Sequence, residues 1–260
     1  MIVQNNFSKG FFRSLYIISL ILITATLYSC SSSDKTDITS DDPEKAFATA
    51  KRNYDKKDYL QAIEDFSYIK LRFSGSNIVD KAQYYLAMSH YKREEYILAA
   101  YEFDYLLKNY PTSEYAEESR FNVAMCYYEL SPDYELDQLY TRYAIASFQI
   151  FLDLYPDSKL SGDAEAKIYA LRNKLAFKDL KSGELYVKLD DYRAAVVYYD
   201  HILEEYFDTD YADDALYNKI EVLIDKKKYE EASEEIERFE EKFKSSPLLS
   251  KVMSLKSRIP

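Results

Sequence analysis

Glycine and proline are scarce in this chain: 260 residues hold four Gly and six Pro, and tryptophan is absent. So few turn formers argue against a strand-rich fold of many hairpins and for long helices joined by short links. Cysteine is limited to Cys30 and Cys126, which excludes a disulfide-stapled scaffold. The two histidines, His90 and His201, stand 111 residues apart with no Cys or acidic cluster at ligand spacing, so no metal site is expected. A glycine-rich phosphate loop, a G-x-S-x-G elbow and a Ser/His/Asp constellation are all missing, so neither an enzyme nor a cofactor is expected. What the chain has instead is 28 tyrosines and a net charge of −11. That acidity argues against nucleic acid, whose phosphates need a basic face, and leaves partners with basic or apolar patches.

The N-terminus is a separate object. Lys9 and Arg13 precede an apolar run from Leu15 to Leu27, and LYSC follows at 27–30. A thirteen-residue helix spans about 20 Å, short of a ~30 Å hydrocarbon core, and the pattern reads as a signal peptide over 1–29. With Leu27, Ser29 and Cys30, the cut site resembles the bacterial lipoprotein box, although Tyr28 stands where a small residue is usual. The resemblance implies that Cys30 is lipidated and holds the chain to a membrane. The alternatives are an uncleaved anchor, or a plain signal peptide with a chance cysteine. Lipidation would prevent Cys30 from pairing with Cys126, which sits in the helical run FNVAMCYYEL and reads as a small core residue. Residues 30–42 are polar apart from Ile38 and read as a flexible tether to a body covering 43–260.

That body repeats itself. The phrase [DEK]-Y-x-x-A occurs as DYLQA, EYILA, DYRAA and KYEEA, ending at Ala62, Ala99, Ala195 and Ala232. A fifth copy without the tyrosine centres on Ala144. Twelve residues earlier stand Ala50, Ala87 and Gly183; Ala124 joins them if about eight residues, 131–138, are an inserted loop, and Ile220 is the exception. Four residues after each alanine come Phe66, Phe103, Phe148, Tyr199 and Ile236. Eleven after, an aromatic appears every time: Phe73, Tyr110, Tyr155, Tyr206 and Phe243, followed in two cases by Pro111 and Pro156.

This pattern resembles the tetratricopeptide repeat, a helix–turn–helix unit. Small residues on both helices sit where the axes cross, the tyrosine three before each alanine plugs the intervening turn, and the later aromatic and proline end the second helix. One unit cannot bury its apolar face alone, so the expected fold is an all-α, right-handed solenoid of five repeats. Ala144 and Ala195 are 51 residues apart, against 37 for the first and last intervals. The extra fourteen residues fall within 163–191, where Ile168, Leu171, Leu175, Leu180, Leu185 and Leu189 roughly follow a helical stripe. One lengthened helix, about four turns longer, is expected there; the alternative is two helices broken near Lys181–Ser182.

With AFATAKRNYDKKDYLQAIEDF, NYPTSEYAEES and the LRNKLA…SGELYVKLDDYRAAVVYYD block, the chain is similar to a bacterial lipoprotein family. These are the lipid-anchored tetratricopeptide subunits of the outer-membrane β-barrel assembly (BAM) machinery. The resemblance implies an adaptor on the periplasmic face of the outer membrane. Its partners would be the barrel-forming subunit, other lipoproteins of the complex, and unfolded outer-membrane proteins received through an aromatic-ended strand. A cell-envelope scaffold of the Tol-associated kind is the alternative, but such proteins usually add a coiled coil, and no heptad run is present. A glycan-binding lipoprotein would call for tryptophan platforms, and a hydrolase for a nucleophile.

Helical register places candidate contact residues three before, one after and four after each small residue. They are Phe47, Lys51 and Tyr54, then Tyr84, Met88 and Tyr91, then Phe121, Met125 and Tyr128. Together they would form an apolar client groove on the concave face, with Tyr54, Tyr84 and Tyr91 adjacent and partly exposed. Ile236, Phe239 and Phe243 form the apolar side of an otherwise acidic last helix and are the candidate partner-docking residues.

Overall fold

The computed structural model describes Ile38 and residues 40–260; the leader, Cys30 and most of the tether lie outside the described residues. The described part is helical, with no strand. Five antiparallel pairs follow one another: α1 (Pro43–Asp55) with α2 (Tyr59–Arg72), α3 (Val79–Lys92) with α4 (Tyr96–Asn109), α5 (Ala116–Leu130) with α6 (Leu139–Leu154), α7 (Ser161–Lys188) with α8 (Tyr192–Glu205), and α9 (Ala212–Asp225) with α10 (Tyr229–Lys242). Each helix packs on the next, as in a tetratricopeptide-like solenoid. A short helix not foreseen from the repeats, α11 (Leu249–Lys256), closes the array against α9 and α10 and buries Val252 and Leu255.

The repeated phrases map onto helix ends. Phe73, Tyr110, Tyr155, Tyr206 and Phe243 are the C-cap residues of α2, α4, α6, α8 and α10, each with its N–H donating back four residues. The turn inside a pair is as regular. Lys57, Glu94, Asp190 and Lys227 adopt φ of 61–64°, and the next residue's N–H reaches five residues back, to Asn53, His90, Tyr186 and Leu223. This left-handed helix stop favours glycine, yet every copy here is charged. Tyrosine plugs stand against the preceding turn: Tyr54 meets Tyr59 at 5.5 Å and Tyr91 meets Tyr96 at 5.3 Å, both edge to face. The open ends of three pairs are clasped, because Ser113, Ser158 and Ser246 donate to the first-turn acids Asp80, Glu117 and Asp213. Each clasp joins the serine of one boundary turn to an acid 33–41 residues earlier, at the start of the same pair's first helix.

Packing explains the small residues. A Cβ built on Gly183 would stand 2.9 Å from Cζ and 3.0 Å from Cδ1 of Tyr199, closer than side chains tolerate. Ala87 and Phe103 share one core cluster, and Ala124 and Phe148 another. Ile220 breaks the small-residue rule for a volumetric reason: its counterpart sixteen residues on is Ile236, not a ring, and both are buried in one cluster.

The lengthened helix is continuous. α7 runs for 28 residues with no break at Lys181–Ser182, where Ser182 donates back to the Lys178 carbonyl. Its buried stripe is Leu171, Leu175, Ala176, Leu180 and Gly183; Leu185 and Leu189, expected to continue it, are exposed. The extra turns hold the inserted loop between α5 and α6. Lys174 Nζ donates to Ser131 Oγ at 2.9 Å and the Pro132 carbonyl at 3.0 Å. Lys178 Nζ reaches the Tyr134 and Leu136 carbonyls at 2.8 and 2.9 Å. Tyr134 packs edge-on against Phe177 at 4.8 Å, and Phe177 contacts Tyr211 at 5.2 Å. The insert is thus strapped to the fourth repeat.

Charge-assisted bonds of this kind contribute about 1.5–3 kcal/mol each where solvent is excluded, and less at this half-buried site. Replacing Lys174 and Lys178 together with Met is expected to lower stability by about 1–2 kcal/mol and to speed amide exchange selectively over 131–138. Hydrogen-exchange mass spectrometry checks this; unchanged exchange in the loop would show that the lysines do not hold it.

Candidate functional site

The first helices of the first three repeats, α1, α3 and α5, carry the groove candidates, and the structure sorts them by depth. Phe47, Tyr84 and Phe121 are core residues, with Tyr84 only 5 % exposed. The expectation of a partly exposed Tyr84 is corrected for a clear reason: its ring is stacked on Tyr115 at 4.6 Å, edge-on to Tyr85 at 5.3 Å and tilted against Phe103 at 6.0 Å. Phe121 is enclosed by Phe148 and Phe151, and Phe47 by Phe66 and Tyr85. Tyr54, Met88, Tyr91, Met125 and Tyr128 remain half-buried, each with part of its surface open to solvent.

Tyr54 and Tyr84 are joined through Tyr85, which lies within 6.3 Å of five rings: Phe47, Tyr54, Phe66, Tyr84 and Tyr115. Sequence reasoning missed Tyr85; the Tyr84–Tyr85 doublet beside a crossing alanine was its only signal. Tyr91 lies apart from this group. It packs on Tyr96 and lies near Glu129 of the next first helix, as Tyr84 lies near Glu118. Met88 Sδ accepts from Asn122 Nδ2 at 3.7 Å, a link between α3 and α5.

The electrostatics are those of phenols kept neutral beside cations. Burial, reinforced by neighbouring phenols and carboxylates, pushes the Tyr54 phenol up to about 12. Burial also raises Tyr84 and Tyr91, helped by the nearby Glu118 and Glu129. Lys51 Nζ lies 5.4 Å from the Tyr54 ring centre and 5.0 Å from that of Tyr85. Lys92 lies 5.8 Å from Tyr91, Lys81 4.8 Å from Phe47 and Lys167 4.3 Å from Tyr128. Ring faces already engaged by ammonium groups make an amphipathic surface: apolar in area, positive at its edge.

The docking candidates fare differently. Ile236 and Phe239 are 1 % and 0 % exposed. They point into the core because α10 packs between α9 and α11, leaving its acidic face outward. They are therefore corrected to packing residues. Phe243 is half-buried and reaches the surface.

Groups with reactive potential are occupied. Burial pushes the Cys126 thiol well above its ordinary range, so it stays protonated. His90 pairs with Glu95 and His201 with Asp179, each at 2.7 Å, and no set of three metal-ligating groups converges among the described residues.

Comparison with known proteins agrees with this architecture. The family model YfiO, described as outer membrane lipoprotein, matches residues 39–224. An outer membrane protein assembly factor BamD of Rickettsia prowazekii is 25% identical over 167 residues, 64% of this chain and 66% of that protein. BamD of Caulobacter vibrioides is 27% identical over 92 residues, 35% of this chain and 30% of its own length. BamD of Vibrio cholerae is 32% identical over 78 residues, 30% of this chain and 32% of its own length. The matches thus span just under two thirds of the first relative and about a third of the other two. Because the family match takes in the repeats from α1 through α9, the lengthened α7 and its strapped insert included, this chain belongs to the YfiO family of outer membrane lipoproteins.

Proposed function

We propose that this protein is a non-enzymatic assembly factor for outer-membrane proteins. In this reading it is held at the periplasmic face of the outer membrane by a lipid on Cys30, with residues 1–29 removed as a leader. It works with a barrel-forming subunit and other lipoproteins of one complex and receives unfolded barrel clients. Family membership supports the class of role, and the relatives' names support outer-membrane protein assembly.

The single observation that carries the client reading is the row of half-buried side chains, Tyr54, Met88, Tyr91, Met125 and Tyr128, set on successive first helices with lysines at its edge. An extended apolar peptide can lay its side chains between such rings, and the flexible thioethers of Met adapt to clients of differing sequence. The deeper Phe47, Tyr84 and Phe121 support the row from below. Aromatic anchors at the centre of an interface carry most of its affinity.

Tyr91→Ala is accordingly expected to weaken binding of an apolar, phenylalanine-ended strand peptide by about 1–2 kcal/mol. Tyr101→Ala, at an exposed position on α4, should leave binding unchanged. Titration calorimetry on variants verified as folded by circular dichroism checks both, and equal losses in the two would remove the groove from the account.

For the anchor, Cys30→Ala should abolish incorporation of a fatty-acid probe and release the protein from membranes, since one acyl chain holds only marginally and two or more hold firmly. Label retained in that variant would contradict lipidation at Cys30.

A further inference from the structure

Phe207 occupies the boundary position where two earlier repeats carry Pro111 and Pro156. A proline there ends a helix and needs no burial, whereas a phenylalanine ring gains from it, yet Phe207 is 66 % exposed. Beside it opens a hollow of about 300 Å³ lined by Leu203, Phe207, Arg238, Lys242 and Phe243. Leu203 is buried near the end of α8, and Phe243 caps α10 with its ring 5.2 Å from that of Phe239. The rim cations, Arg238 and Lys242, are four residues apart and so share one face of α10.

Charge makes this place distinct. The outer face of α10 is acidic, with Glu230, Glu231, Glu234, Glu237 and Glu241, in a chain of net charge −11. None of those carboxylates lines the hollow. Asp208, next to Phe207, is taken by Arg172, whose Nη2 lies 2.6 Å from Oδ1. Glu235 is shared between Lys219 at 2.6 Å and Arg238 at 3.3 Å. Two cations therefore border an apolar hollow that no carboxylate lines, with Arg238 sharing Glu235 with Lys219 and Asp208 held by Arg172, the local inverse of the surrounding field.

The volume admits one large side chain, at the low end of ligand pockets. We propose that this hollow docks an acidic peptide segment of a partner protein. The segment inserts one aromatic or aliphatic side chain between Phe207 and Phe243 while its flanking carboxylates pair with Arg238 and Lys242. Aromatic and Arg side chains around a partly dry pocket are where binding energy concentrates, and the carboxylate pairs fix orientation and speed encounter. The site lies on the last two repeats and stands independently of the client row on the first three.

Fluorescence anisotropy on the full chain tests it, using a labelled, end-blocked acidic pentapeptide with phenylalanine at its centre, at low salt. Saturable binding that weakens as salt rises is expected. Phe207→Ser should weaken it about tenfold and Lys242→Glu about threefold or more; both side chains are exposed, so the helical signal and melting temperature should hold. A peptide with alanine at its centre, or with lysines in place of its acids, should bind about tenfold more weakly. No binding of the acidic phenylalanine peptide, equal binding to both variants, or equal binding of the lysine peptide would each overturn the proposal.

Discussion

Everything in this solenoid depends on how closely the two helices of each repeat can cross. The distance is set by a pair of residues, one on each helix, whose combined size stays bounded; they stand sixteen apart, or twenty-four in the third repeat, where the insert intervenes. Gly183 faces Tyr199, alanines at 87 and 124 go with Phe103 and Phe148, and Ile220 goes with Ile236. The largest partner accompanies the smallest residue, and an aliphatic partner allows a second aliphatic. Cores are close-packed, so a methyl group in excess at such a point has nowhere to go. Close crossing brings the paired helices into full contact and lets short, charged, left-handed turns join four of the five pairs.

From that contact the surface follows. In the first three repeats the first helices are pressed between neighbours, so residues three before the crossing point become core, while those one and four after it stay half-open. Polar links then tie repeat to repeat: Lys70 to Glu102, Asn122 to Met88, and Lys219 to Asp200. The second helices turn one face outward, and its character changes along the array, from Ile97, Leu98 and Tyr101 on α4 to glutamates on α10. One scaffold thereby offers chemically different surfaces at its two ends.

Much of this was legible in the sequence because the signals are local and repeat. The aromatic eleven residues after each alanine proved to be a C-cap five times over, and the absence of Pro between 163 and 188 gave one long α7. What was not legible depends on contacts between distant segments. Tyr84 lies on the expected face, but Tyr115, from the following boundary loop, stacks on it and closes it off. Ile236 and Phe239 look like a free apolar stripe until α11, outside the repeat pattern, is seen to close the end of the array. The left-handed turns carry Lys, Glu, Asp and Lys where glycine would have announced them. The grip of Lys174 and Lys178 on carbonyls some forty residues earlier leaves no trace in composition.

The size trade at the helix crossing is most directly tested by a double-mutant cycle at Gly183 and Tyr199, measured by denaturant unfolding. Gly183→Ala alone should cost about 1–3 kcal/mol through overpacking. In a Tyr199→Leu background, where the ring atoms that a new Cβ would strike are gone, the same change should cost less by about 1 kcal/mol or more. Costs that add to within about 0.5 kcal/mol would mean that the two positions do not share the space, and the crossing rule would fail.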